Sequence, residues 1–252
     1  MTNVELLTFI LALVGALAWI PPVIEWRRKP DVHIASAEQL EASYLAFGGV
    51  LNVPSTFASF DKAALIESIS LQLTHEDGTR LGMYCVGLLE TTTAQSSSGE
   101  KVLWNRETRG HVLLIPKDQA VERLVMFRDR AQQDAVLQHY ERVVPLYERL
   151  RATEGDAWRD AMRRAQEFHD YVELVQNGIS WRRGRYAAVI TANVKQLSEP
   201  VLHAFEFDLS DADLRVILSN RATLNDYVMN TLLEIESTVP PSIFAFPRRH
   251  LS

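Results

Sequence analysis

Three short polar groups in this chain carry side chains that could do chemistry. Asp208, Asp211 and Asp213 lie just past a run of alternating apolar residues. Three carboxylates so close together could offer oxygen ligands to a divalent cation, which would make a metal-dependent hydrolase conceivable. The same residues also read as the start of a helix. Ser210-Asp211-Ala212-Asp213 has the form of a capping box, and its acidic residues would complement the positive end of the helix dipole. Capping is the reading the pattern favours. His75-Glu76-Asp77 has the composition of an acid–base cluster, but it falls where a hairpin turn is expected, and turns are polar for that reason. His203 alternates with Phe205 and Phe207, as a hydrogen-bonded core histidine would.

Two further groups suggest contact with a partner. Trp181-Arg182-Arg183-Gly184-Arg185 is the most basic stretch outside the N-terminal region; it suits anionic headgroups or a phosphate, or simply a solvated loop. Phe244 and Phe246, followed by Arg248 and Arg249, could dock on a partner or belong to a frayed end. The phosphate-binding patterns G-x-x-x-x-G-K-[ST] and G-x-G-x-x-G do not occur. Neither do the zinc patterns H-E-x-x-H and C-x-x-C, nor the nucleophile elbow G-x-S-x-G. No catalytic residue, resident metal or cofactor is assigned.

The elements that would position these groups show in the periodicity. Leu65, Ile69, Leu71 and Leu73 alternate with Ser68, Ser70, Gln72 and Thr74, which predicts a half-buried strand. Glu76-Asp77-Gly78 then supplies a turn, and Leu81–Leu88 resumes the strand pattern. Residues 50–60 predict an earlier strand, with Pro54 marking an edge or a bulge. Thr91–Glu100 reads as a loop. From Gln132 the period lengthens: Val136, Tyr140, Val143, Tyr147 and Leu150 form a helical stripe, with Pro145 expected to kink it. Trp158, Met162, Ala165, Val172 and Val175 form a second stripe, so the two predict an antiparallel helical hairpin. Strands return over 186–194 and 201–209. A short helix from Asp211 to near Asn220 and another over Thr223–Glu234 follow.

The N-terminal region is of another kind. Between Leu6 and Ile24 there is no charged residue, a length of helix that matches the roughly 30 Å hydrocarbon layer of a bilayer. Trp19 and Trp26 suit its interface, and Arg27, Arg28 and Lys29 follow at one end only. By the positive-inside rule this predicts a single-pass anchor with its N-terminus outside and the main domain cytoplasmic. Ala16-Leu17-Ala18 fits a signal-peptidase site, but the basic segment that opens a signal peptide is missing.

The resulting expectation is a mainly β chain with an α insertion. A transmembrane anchor with its basic flank occupies 1–29 and a linker 30–40. A β-sandwich follows, its first strands in 41–130, the helical hairpin inserted at 131–178, closing strands and short helices in 179–238, and a tail at 239–252. The strand-and-turn pattern resembles an immunoglobulin-like sandwich in architecture only, since the Cys…Trp…Cys signature is missing: Cys85 is the single cysteine. A net charge of −6 makes nucleic acid an unfavourable partner. The expected function is a membrane-tethered adaptor or scaffold, with the bilayer and an unidentified protein as partners. The alternatives are a ligand or signal sensor with a pocket between sandwich and hairpin, and the hydrolase already named.

Overall fold

A computed structural model of the chain describes residues 28–46, 48–95, 101–108, 112–178, 180–234 and 244–247. Ten strands form one antiparallel sheet: β1 (Asp31–Ser36), β2 (Glu41–Leu45), β3 (Gly48–Phe60), β4 (Ala64–His75), β5 (Arg80–Gln95), β6 (Lys101–Thr108), β7 (Leu113–Ile115), β8 (Gln119–Asp129), β9 (Gly184–Val194) and β10 (Val201–Leu209). The main path runs β1-β3-β8-β5-β4-β9-β10, with β2 beside β3, β6 beside β5 and β7 beside β4. The two ends of that path approach each other, where Ser36 Oγ and His203 Nε2 lie 2.9 Å apart.

The fold is therefore a single, nearly closed sheet, which corrects the expected sandwich of two stacked sheets. The physical reason lies in strand length and bulges. β3, β4 and β5 have 13, 12 and 16 residues and are paired on both sides, so the sheet has no seam at which to split. Register shifts at Ile66/Ser68 and Cys85/Gly87 bend long strands that already carry a right-handed twist. The curled sheet surrounds a core of Leu51, Phe57, Leu71, Leu73, Phe127, Ile190 and Phe207. Alternation in sequence says that one face of a strand is buried. It does not say whether the facing wall is another sheet or the far side of the same one.

Pro54 sits in the middle of β3, yet no ladder bond is missing. β2 pairs with residues 48–52 of β3 and β1 with residues 55–60, so Pro54 occupies the handover between them. Its carbonyl still accepts from the Ala37 N–H at 2.8 Å. Residues 31–36, read from sequence as linker, form β1, and Thr91–Gln95, read as loop, continue β5.

Among the described residues, helices follow β8 and β10. α1 (Arg130–Thr153) begins at Asp129, whose carboxylate accepts from the Gln132 N–H. A 3-10 turn (Gly155–Ala157) leads to α2 (Trp158–Arg164) and α3 (Gln166–Asn177). The expected two-helix hairpin is thus broken in its second arm, at Ala165, which is extended (φ −74°, ψ 135°). Side chains turn by about 100° per residue along a helix. In one straight helix Phe168, Tyr171 and Val175 would face well away from Trp158 and Met162; the break turns all five into a common core. α4 (Asp211–Leu233) is one helix where the sequence suggested two. It contains no Gly or Pro, and it ends at Glu234, whose φ is +51°.

No helix among the described residues is long and apolar enough to cross a membrane. The single-pass placement and the cytoplasmic sidedness derived from it are corrected accordingly. The stretch on which they rested, Val4–Ile24 with Trp19, and also Trp26 and Arg27, lies outside the described residues. Arg28, expected to set topology, instead lies 3.7 Å from Asp61 in the turn between β3 and β4. Lys29 follows it and Pro30 is buried, leading directly into β1.

Candidate ligand-binding cleft

The helices build a second core beside the sheet. Val136, Val143 and Leu146 of α1 meet Trp158 and Met162 of α2, Phe168, Tyr171 and Val175 of α3, and Val228 and Leu233 of α4. Polar contacts at Tyr44 tie this layer to the sheet. The Tyr44 hydroxyl on β2 donates to the Val175 carbonyl at 2.6 Å and accepts from Gln132 Nε2 of α1 at 3.4 Å, while the same Gln132 Nε2 joins α1 to α3 by donating to the Leu174 carbonyl at 3.1 Å. Burial, followed by the nearby Asp129 charge, raises the Tyr44 pKa against the opposing hydrogen bond from Gln132, so its hydroxyl stays a donor. Asn220 of α4 is fully buried and donates to Ser43 Oγ and the Tyr44 carbonyl on the same strand.

α3 packs against both α1 and α4, and the gap between those two helices is an apolar cleft of about 480 Å³. Leu137, Tyr140, Val144 and Tyr147 of α1 form one wall, and Tyr227, Thr231 and Leu232 of α4 the other. Tyr171 forms the base, and Ala46 reaches it from the link between β2 and β3. One end is closed by polar contacts: the Tyr147 hydroxyl donates to Glu234, and Arg151 Nη1 lies 3.0 Å from the same carboxylate.

Four of the chain's seven tyrosines line this one space. Tyr140 and Tyr171 have ring centroids 6.2 Å apart. Burial, then the neighbouring phenols of Tyr140 and Tyr227, push the Tyr171 pKa up to about 12. The Tyr147 pKa is also raised, chiefly because its hydroxyl bonds to Glu234. These two phenols are neutral at physiological pH. Apart from Tyr, Thr231, Glu148 and Glu234, the described lining is apolar, with no His, Cys or Lys that could act as base or nucleophile. The arrangement is suited to holding a ligand through ring faces and a few polar contacts.

The residues singled out by sequence lie elsewhere. Asp213 completes the capping box with Ser210, and Asp211 lies 3.0 Å from Arg183. Asp208 is exposed on β10, and no cluster of three ligating side chains occurs among the described residues. Trp181 is only 3% exposed, and its indole N–H donates to the Ser43 carbonyl at 2.7 Å. Arg182 bonds to Asp77 at 2.7 Å. The basic stretch is thus fastened to its own domain. Phe244 is half-buried and Phe246 is 52% exposed. Between them Ala245 exchanges two backbone hydrogen bonds with Ala42 at the edge of β2. Cys85 is buried, which pushes its thiol up to about 11, so it is an inert core residue.

His75 and Asp77 do interact, with Nδ1 3.0 Å from the carboxylate, but the pair is a clasp. His75 Nε2 donates to the Arg183 carbonyl at 2.9 Å, so no free nitrogen faces a substrate. Gly184, at φ +129°, lets the two loops meet: a Cβ there would fall 2.7 Å from His75 Nε2. Burial alone would lower the imidazole pKa. The hydrogen bonds to Asp77 and Arg183 and the charges of Asp77 and Glu76 outweigh it and raise the value above 6.5. Bonds from the Thr79 hydroxyl and N–H, then from His75 and Arg182, hold the Asp77 carboxyl well below its usual 3.8. A raised His contributes stability below its unfolded pKa and loses it as pH rises through the folded one. A depressed Asp contributes above its unfolded pKa and loses it as pH falls through the folded one. Both contributions coincide between the ordinary values of 3.8 and 6.5. Equilibrium unfolding should therefore show stability falling as pH rises past 6.5, with a shallower fall in His75→Gln; equal slopes would remove His75 as the cause.

The cleft was not foreseen from sequence, where Tyr140 and Tyr147 counted only as stripe positions. The available signal was tyrosine at two stripe positions seven apart, which puts both phenols on one helix face.

No protein-family model matches the chain, and no curated protein matches it. Among solved structures, a family 123 glycoside hydrolase from Clostridium perfringens aligns at 11% identity and TM-score 0.36, over 72% of this chain and 27% of that one. The sporulation control protein Spo0M from Bacillus subtilis aligns at 9% identity and TM-score 0.26, over 78% of this chain and 56% of that one. A protein from Archaeoglobus fulgidus aligns at 7% identity and TM-score 0.23, over 71% of this chain and 96% of that one. The chain spans about a quarter and just over half of the first two, and likenesses this loose carry neither fold nor function across.

Proposed function

We propose that this chain is a non-catalytic binding module that recognises a small organic ligand in the tyrosine-lined cleft. The curled sheet is the rigid base and the helical layer the recognition device. The observation that carries this reading is the cleft: about 480 Å³ of apolar space, within the range of small-molecule sites, lined by four tyrosines. An adaptor role drew its motive from the helical stripes, and Val136, Val143, Trp158, Met162 and Val175 of those stripes are buried in the second core. A hydrolase role would need Asp211 and Asp213 as ligands, and both are engaged in the capping region.

Thermal-shift screening of the full chain against small metabolites tests the proposal. A ligand that binds only the folded state, at about 100 times its Kd, adds about 2.7 kcal/mol. For a domain of this size that raises Tm by about 5–10 °C. Failure of every compound to raise Tm, or a rise that persists when the cleft is filled, would overturn it.

A further inference from the structure

We infer that the ligand is a neutral, mostly apolar molecule bearing a carbonyl oxygen that accepts from the Tyr171 hydroxyl, a reading that rests on the cleft being the recognition site. A buried tyrosine ordinarily finds a partner for its O–H. Tyr44 and Tyr186, both buried, do so: one donates to the Val175 carbonyl at 2.6 Å and the other to the Arg182 carbonyl at 3.0 Å. Tyr171, only 5% exposed, is the exception, for no hydrogen bond to its hydroxyl occurs among the described residues. Its side chain forms the base of the cleft, and the phenols of Tyr140 and Tyr227 act on it electrostatically from the two walls. The O–H is therefore aimed into the space that a ligand would fill.

That hydroxyl has a hydrogen to give. Burial, then the two neighbouring phenols, keep it protonated. A hydrocarbon filling the cleft would strip water from it and return no acceptor. A carbonyl oxygen accepts and needs to donate nothing. Its second lone pair suits the hydroxyl of Tyr140 or Tyr227, which also lack a partner among the described residues. Among the described lining residues no charge is left to match a charged ligand. Glu234 is already held by Arg151 and Tyr147, and Glu148 is exposed to water. The same lining has no Lys, Arg or His to balance an anion.

NMR titration of the full chain with acetophenone, its carbon isostere α-methylstyrene and the anion benzoate separates the acceptor from shape and charge. The ketone should bind about three- to tenfold more tightly than the alkene, and that margin should vanish in Tyr171→Phe. Benzoate should bind more weakly than the ketone. Tyr171→Phe should also leave the melting temperature of the free chain unchanged, whereas Tyr44→Phe, which strands the Val175 carbonyl, should lower it. Equal affinity for ketone and alkene, a margin that survives in Tyr171→Phe, tighter binding of the anion, no binding of the ketone, or a Tyr171→Phe variant as destabilised as Tyr44→Phe would overturn the carbonyl inference. In each of those cases the cleft reading survives if ligands found by thermal shift are lost in Val144→Trp. Ketone binding that is unchanged in Val144→Trp would overturn both.

Discussion

Replacing Trp181 with alanine should lower the unfolding free energy by about 4 kcal/mol, within the range of about 3–5 kcal/mol for truncating a buried Trp or Phe to Ala. Trp181 is nearly fully buried although it opens a stretch of arginines, and it makes three kinds of contact at once. Its ring stands edge-on to Tyr186 at 5.8 Å, and Tyr186 stacks on Phe207 at 5.2 Å. It approaches Gly49 so closely that a Cβ there would fall 3.2 Å from its Nε1. Its N–H also satisfies the Ser43 carbonyl, on the strand that carries Tyr44 toward the helices. Alanine would leave a cavity and a buried carbonyl without its donor. Trp181→Phe keeps most of the packing and loses only the donor, so it should cost about 1–3 kcal/mol. Urea unfolding of the two variants reads the difference directly. A loss below about 1 kcal/mol for the alanine variant would mean that this loop is not part of the core. Folded proteins have only about 5–15 kcal/mol to lose, so the alanine variant should be visibly marginal at moderate temperature.

The second large effect concerns binding. Val144→Trp should weaken any ligand of the cleft by more than about tenfold while changing stability by under about 1.5 kcal/mol. Val144 lies on the α1 wall, half-buried, on the stripe edge that faces the gap and not the second core. An indole there projects into the cleft, so it should occupy the ligand's volume. Thr231→Trp, on the opposite wall and exposed, should produce the same loss from the other side. Agreement between the two separates blocking of the cleft from a local disturbance of α1. Calorimetry with a compound found by thermal shift measures both, and undiminished affinity in both variants would place the ligand elsewhere.

Much of the local structure was legible in the residues. The alternation of Leu65, Ile69, Leu71 and Leu73 corresponds to β4, and that of Tyr186, Ala188, Ile190 and Ala192 to β9. The Ser210–Asp213 box does open a helix. These are readings within one element, where period and capping chemistry act over a few residues. What was not legible depends on contacts between distant parts. Closure of the sheet is set by long paired strands and two bulges, and neither changes a hydropathy pattern. The break at Ala165 has no Pro or Gly to announce it and follows from the need of Trp158 and Phe168 to share one core. Trp181 looked exposed because its neighbours are arginines, yet Arg182 and Arg183 are held by Asp77 and Asp211. The cleft joins Tyr140 and Tyr147 to Tyr171 and Tyr227, from three helices, and no local pattern records that meeting.

The same distribution of tyrosines supplies the most direct test. Tyr140, Tyr147, Tyr171 and Tyr227 face the cleft, while Tyr44, Tyr84 and Tyr186 lie outside its lining and act as internal controls. Ring-selective NMR of the full chain, carbon-labelled at tyrosine and titrated with a compound that raises its melting temperature, should move the first four resonances and leave the other three in place. Movement confined to Tyr44, Tyr84 or Tyr186, with the four cleft rings unchanged at saturation, would contradict a recognition site between α1 and α4.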